Sequence, residues 1–267
     1  LITFIRVYEY SEGTLQVYSL SELKSGSLGI YTMNEKNGKF HVKTLPQGIG
    51  GAALIASTVI LSPLLRAWYT RWGAKDDEAV RSLPGDEFVP SPKSAITLAI
   101  DIQAPVEQVW PWFVQIGCQR AGWYSYDLLD NAGIPSASRL LPEHQALEIG
   151  DVIKAVPAGE FGFPVAAIQL RQWITLGGVL DTKTGESVAD LNRLPEAYFA
   201  GDLTFYLEPL GEGATRALFR QRLDWNPSPL NTMAYRAFME PVSFVMARKM
   251  LLGIRARAEK LATQERD

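Results

Sequence analysis

The 267-residue chain has one cysteine, Cys118, and two histidines, His41 and His144. A single thiol excludes an internal disulfide framework and any thiolate zinc cluster. Two imidazoles leave few ways to build a metal site or a catalytic triad. The glycine patterns that cradle nucleotide phosphates are missing, and so is a GxSxG nucleophile turn. No cofactor and no metal is therefore expected. There is no basic excess either: the formal net charge is −3, which argues against a nucleic-acid partner. With 47% apolar and 21% charged residues, the composition excludes disordered, fibrous and multi-span membrane classes. No internal repeat is visible.

Charge is absent from one stretch altogether. Thr44 to Leu65 is 22 residues without a charged side chain, bounded by Lys43 and Arg66. As a helix it would extend about 33 Å, against about 30 Å for a bilayer hydrocarbon core. Trp68, Tyr69 and Trp72 beside Arg66 and Arg71 suit a helix end at lipid headgroups. A hydrophobic helix over 47–70 is expected, with 47–66 as a single-span membrane anchor. The alternative is a helix packed on a cytoplasmic domain, shortened by its glycines and Pro63. No small-residue cleavage pattern follows, which favours a retained anchor over a removed signal peptide. Lys36, Lys39 and Lys43 balance Arg66, Arg71 and Lys75, so orientation stays open.

Residues 1–46 form an N-terminal segment. Met33 opens a lysine-bearing leader, so residues 1–32 read either as sequence preceding the natural start or as a small strand-rich piece. Asn37-Gly38 suits a hairpin turn. Residues 71–93, charged and proline-rich, read as a linker with one helical turn. Residues 94–264 are long enough for one α+β domain.

In that domain Ser94–Ile102 alternates, with Ile96, Leu98, Ile100 and Ile102 on one face, the pattern of a half-buried strand. Pro105–Gly117 and Ser125–Asn131 read as helices. Strands are expected over 151–156, 161–170, 173–180, 202–207 and 215–225, with a polar insertion over 182–201. A long helical region spans 231–263, started or interrupted at Pro241. Its apolar stripe runs through Val242, Met246, Met250, Ile254, Ala258 and Leu261. A curved antiparallel sheet wrapped around that helix would bury the stripe and leave a cavity, because a curved sheet and a straight helix do not pack flush.

The segments IDIQAPVEQVWPWFVQIGCQRAGWYSYDLLDN and FVMARKMLLGIRARAE resemble the SRPBCC superfamily, and RAGWYSYD marks a bacterial subgroup within it. RWGAKDDE and LPGDEFVP match the same subgroup's lead-in, and the resemblance covers roughly residues 71–263. START lipid-transfer domains, plant pathogenesis-related allergens and aromatic polyketide cyclases belong to this superfamily. The resemblance implies a helix-grip fold with an apolar ligand cavity, and no particular reaction.

Arg120, Trp123, Tyr124, Tyr126 and Asp127 form the densest cluster of functional side chains. They either line the cavity mouth, supplying phenol donors, a stacking face and a cation, or close the core with Asp127 as a cap or a partner of Arg120. On the strand 215–225 one parity places Gln221 among apolar residues, where it needs a partner from protein, water or ligand. His144 beside Glu143 is either a general base or a surface side chain. Cys118 reads as a small buried hydrophobe. The C-terminal helix carries three net positive charges, as a solvated face or as a contact for anionic headgroups.

The function expected is binding or transport of a hydrophobic small molecule, lipid or polyketide-like, by a membrane-tethered domain. The lining expected is Trp110, Phe113, Arg120, Trp123, Tyr124, Tyr126, Phe161, Phe163, Trp173, Phe205, Phe219, Gln221, Met246 and Met250. Two alternatives stand beside it. One is a cyclase or dehydratase-like enzyme using Tyr124, Tyr126, Asp127 or His144; the other is a ligand-free structural domain. The direction of the Asp127 carboxylate separates binder from catalyst.

Overall fold

The computed structural model describes residues 6–11, 14–19, 45–157, 162–188 and 194–265. Residues 1–42 and 43–267 form two separate compact units. In the first, β1 (Arg6–Ser11) and β2 (Thr14–Ser19) pair as an antiparallel hairpin.

The larger unit opens with helix α1 (Leu45–Tyr69) and a short helix α2 (Asp76–Val80). Strand β3 (Ser94–Ile102) and helices α3 (Val106–Val114) and α4 (Asp127–Asp130) follow. Next come β4 (Val152–Lys154), β5 (Gly162–Gln169), β6 (Trp173–Asp181), β7 (Ser187–Val188), β8 (Tyr198–Pro209) and β9 (Thr215–Trp225). Helix α5 (Pro229–Met233), a π-helical stretch over Ala234–Met239 and helix α6 (Glu240–Gln264) close the chain. The strands make one antiparallel sheet in the order β3-β9-β8-β6-β5-β4, with β7 beside β6. The architecture is an α+β helix-grip fold, with α6 held against β3 and α3 on the concave side.

Strict alternation sets the strands that the sheet is built from. Ile96, Leu98, Ile100 and Ile102 of β3 and Ala217 and Phe219 of β9 are buried in the main core. Register pairs Leu98 with Phe219 and Ile100 with Ala217, so these residues share one face. The free edge of β3 is not left open. Thr97 N–H donates to Thr70 O at 2.8 Å and Ala99 N–H to Trp72 O at 3.1 Å, so residues 70–72 cover an edge that would otherwise template aggregation. Gly73 ends this cover at φ +72°, where a Cβ would stand 2.1 Å from Ala99 O; only glycine fits.

The expected start of the C-terminal helix shifts. Helical structure begins at Pro229, with Ser228 Oγ accepting from Asn231 N–H at 3.0 Å. The π-helical stretch ends where Pro241 enters the first turn of α6, a residue that cannot donate to a continuing ladder.

Helix α1 is long and apolar enough to cross a membrane. Here it packs against α6, and it also touches α4 and the π-helical stretch. On its packed side Gly48, Gly51, Thr58 and Ser62 are buried, with Tyr69 at the end, and Ile55 and Leu65 pack partly buried against the main core. Its outer side carries Ile49, Leu54, Ile60, Leu61, Leu64 and Trp68. Buried Glu240, the first residue of α6, accepts from Arg66 Nε and Nη2 and from Tyr69 OH, each at 2.9 Å, and also from Ser94 Oγ.

The stretch expected as a linker, 71–93, runs across the outer face of the sheet. Outward side chains of β9 hold it. Arg216 binds Glu78 and Gly73 O, Arg220 binds Asp86, Arg81 O and Glu78 O, and Arg222 reaches Val89 O and Pro90 O. Leu83 and Val89 add apolar contacts there, with Ala99 and Leu218, and with Val179 and Ala200.

Candidate functional site

The RAGWYSYD segment leaves α3 through Gly117 and turns toward the two long helices. Arg120 Nη2 donates to Val114 O and His144 O, each at 2.9 Å, and burial lowers its pKa. His144 thus contributes a backbone carbonyl. Trp123 meets Phe163 edge to face, with ring centroids 6.2 Å apart. Tyr124, at φ +55°, is buried; its hydroxyl accepts from Gln115 Nε2 at 2.7 Å, and burial pushes the phenol up to about 12. The Arg257 guanidinium lies 4.6 Å from the Tyr124 ring centre. Ser125 Oγ donates to Met246 O at 3.1 Å.

Tyr126 and Asp127 complete this junction. The Tyr126 ring fills the place of the missing Gly51 side chain, 2.6 Å from an ideal Cβ, while Lys249 Nζ stands 5.8 Å from the ring centre. Asp127 accepts from Ser136 Oγ, which itself accepts from Tyr124 N–H at 3.0 Å. Its carboxylate is therefore committed to the local turn, and Arg120 is not its partner. Gly253 lets α6 approach, since a Cβ there would meet Tyr124 O at 2.3 Å. The cluster fastens α1 and α6 to the domain, and its polar atoms are spent on backbone and neighbouring side chains.

Of the other expected lining residues, several fill the interior by packing on one another. Phe113 and Phe205 have ring centroids 5.2 Å apart, and Phe205 and Phe219 5.6 Å apart. Trp110 and Met250 are buried in the same cluster. Trp173 stands opposite Tyr206, on the sheet face away from Ile174 and Phe205, so it does not line the interior. Met246 is half-buried beside Ser125. Phe161 lies outside the described residues. Cys118 is buried, as its solitary occurrence suggested; burial pushes its thiol up to about 11, and it donates to Asp130 O at 3.2 Å.

Gln221 has the inward parity. Its side chain is half-exposed, yet its Oε1 is buried and has no hydrogen-bond partner. Beside it the concave face is thinly furnished. Gly178 pairs with Gly201 across β6 and β8, and an ideal Cβ on Gly178 would meet nothing nearer than Pro164 Cγ at 4.0 Å. Leu180 and Phe199 continue this side half-exposed, and Tyr235 of the π-helical stretch stacks on Phe199 and Trp225 at 5.2 and 4.7 Å. A separate open groove of about 430 Å³ lies between Val106, Glu107, Arg171 and Glu208, and none of the expected residues lines it.

Three polar residues of consequence escaped the sequence reading: Gln115, Glu240 and Asp202. Gln115 is fully buried, and its amide also accepts from Leu141 N–H at 2.9 Å and Gln145 Nε2 at 2.8 Å. Nothing in the spacing around them marks their burial: the partners of Gln115 and Glu240 come from other segments, and the Asp202 carboxylate has no hydrogen-bond partner. Among the described residues no three His, Cys, Asp or Glu side chains gather as metal ligands.

No protein-family model and no curated protein matches the sequence. Solved structures that it is similar to include a protein of Nitrosospira multiformis, at 17% identity over 65% of this chain and 100% of that one, with a TM-score of 0.37. A hypothetical protein of Helicobacter pylori is 13% identical over 66% of this chain and 95% of its own, with a TM-score of 0.38. Norcoclaurine synthase of Thalictrum is 13% identical over 65% of this chain and 96% of its own, with a TM-score of 0.31. Strand order and the gripped helix define the fold here, independently of these likenesses.

Proposed function

We propose that the chain is a membrane-attached helix-grip domain that binds an apolar small molecule, lipid or polyketide-like, on the open part of its concave sheet. The observation that carries this reading is the unpartnered Gln221 Oε1 on the same concave face as Gly178, where an ideal Cβ would meet nothing nearer than Pro164 Cγ at 4.0 Å. A shielded amide oxygen without a partner costs about 1–3 kcal/mol, so a ligand donor or an ordered water satisfies it. The surrounding Leu180, Phe199 and Leu203 offer apolar area, and one polar group among such residues is how small-molecule sites fix orientation. Attachment to a membrane is supported by the outward apolar side of α1. Catalysis has less support, since Asp127 is bound to Ser136 and His144 contributes a carbonyl.

Displacement of a fluorescent fatty acid by the full chain tests the reading, with Gly178→Leu as the filled variant. The wild type should bind the probe. The variant should bind at least about tenfold more weakly with an unchanged melting temperature, because a leucine occupies the space an apolar ligand would use. A wild type that ignores the probe overturns the proposal in favour of a structural domain, and a variant that binds equally well overturns the concave-sheet site.

A further inference from the structure

We infer that the chain meets an anionic bilayer side-on: α1 stays docked on α6, lies in the plane of the interface, and does not span. This rests on the membrane attachment proposed above and names its geometry. The packed positions of α1 (Gly48, Gly51, Ile55, Thr58, Ser62, Leu65 and Tyr69) recur every three or four residues, from Gly48 against Leu128 to Tyr69 against Phe244. That seam occupies about 31 Å of helix, almost the whole element. An upright span would have to strip the seam and break the bonds of Arg66 and Tyr69 to Glu240, leaving a buried carboxylate with one hydroxyl partner.

The opposite side has the inverse of the usual pattern. A helix laid on a soluble domain turns polar residues to water. Here Ile60 and Leu64 are 76% and 81% exposed, and no charge stands between Thr44 and Leu65. The apolar exposure also continues past the helix. Seven of the eighteen exposed large apolar side chains among the described residues lie on α1 itself, and five more lie on α4, on the π-helical stretch or on the segments that adjoin these two in the chain. Leu129 and Ile134 sit on or just after α4, and Leu230, Met233 and Phe238 on α5 and the π-helical stretch. Contiguous patches of this kind mark interaction surfaces, and an in-plane helix uses one apolar side with cations at its margin. Arg71, Arg236 and Lys249 supply cations on the bordering segments. They match anionic headgroups.

The test uses the full chain with Cys118→Ala and a single fluorophore on Ile49→Cys, Ser57→Cys or Ala67→Cys, all on the outer side of α1. Vesicles of phosphatidylcholine and phosphatidylglycerol carry quenchers at graded depths. An in-plane helix gives one shallow depth at all three positions, and Phe238→Asp weakens vesicle binding by at least roughly tenfold. A deep middle with shallow ends, or indifference to Phe238→Asp, overturns the side-on geometry while leaving membrane attachment intact. Absence of vesicle binding, including a soluble dimer that shields the three probes, overturns both.

Discussion

Asp202 stands on the outward side of β8, fully buried, and neither of its carboxylate oxygens has a hydrogen-bond partner. Burial lifts its carboxyl from 3.8 to about 8, against the downward pull of Arg222 and Arg220. In the folded chain it holds a proton that the unfolded chain releases near pH 4. Its contribution to stability is therefore fully present below that pH and is lost as pH rises toward 8. Asp202→Asn removes this dependence. The variant should match the wild type near pH 4 and exceed it by an amount on the order of 1–3 kcal/mol at pH 8. Urea unfolding at the two pH values checks this; an equal difference at both would refute the buried neutral acid. Asp130, also raised to about 8, keeps its own share of the slope in either protein.

At the scale of elements, the outer face of the sheet is held by single arginines of β9. Arg220 donates to Arg81 O at 2.7 Å, to Glu78 O at 2.6 Å and to Asp86 at 2.8 Å. Arg220→Ala removes the arginine from the Arg81 and Glu78 carbonyls and leaves Asp86 with only Leu83 N–H and Arg222 under the segment 78–90. A loss of about 3–5 kcal/mol is expected, with fast amide exchange confined to that segment and its immediate strand neighbours. Uniform exchange across the sheet would contradict it. These contacts show why some elements were legible in the sequence and others were not. β3 and β9 match their expected bounds because large apolar side chains alternate along both, although residues 71–93 bury much of the other face as well. The segment 71–93 looked like a linker because its charges suggested water, while its partners lie more than a hundred residues away. Trp173 was misplaced because Ile174 and Leu176 beside it are apolar too, and an apolar run does not declare which parity faces in. The length of α1 was legible, but its orientation was not, since its fully buried positions are mostly glycines and small hydroxyl residues while most of its large apolar side chains point out. In the candidate site, Gln221 was found because a lone amide interrupts an apolar parity, whereas the satisfied partners of Tyr124 and Asp127 required tertiary structure.

Across the whole molecule, α1 and residues 70–72 act as structural parts of the domain that follows them. They close the edge of β3, and they supply Arg66 and Tyr69 to the carboxylate at the head of α6. Residues 43–267 form a compact unit without the first 42. Two shortened chains separate these roles. A chain of residues 43–267 should show the same principal melting transition as the full chain, because nothing in its core is removed. A chain of residues 75–267 keeps β3 to β9 and α6, yet it leaves Glu240 buried with Ser94 alone and exposes two donors on β3. That loss amounts to about 3–5 kcal/mol for the orphaned carboxylate, before the open edge is considered. Such a fraction of an ordinary domain's stability should lower the melting temperature by about 6–20 °C and raise light scattering at micromolar concentration. Glu240→Gln in the shorter chain should recover part of the stability, because a neutral amide costs less to bury than an unpaired charge. If the two shortened chains melt alike, the hydrophobic helix is only an attachment, and the contacts at Glu240 contribute little to the fold.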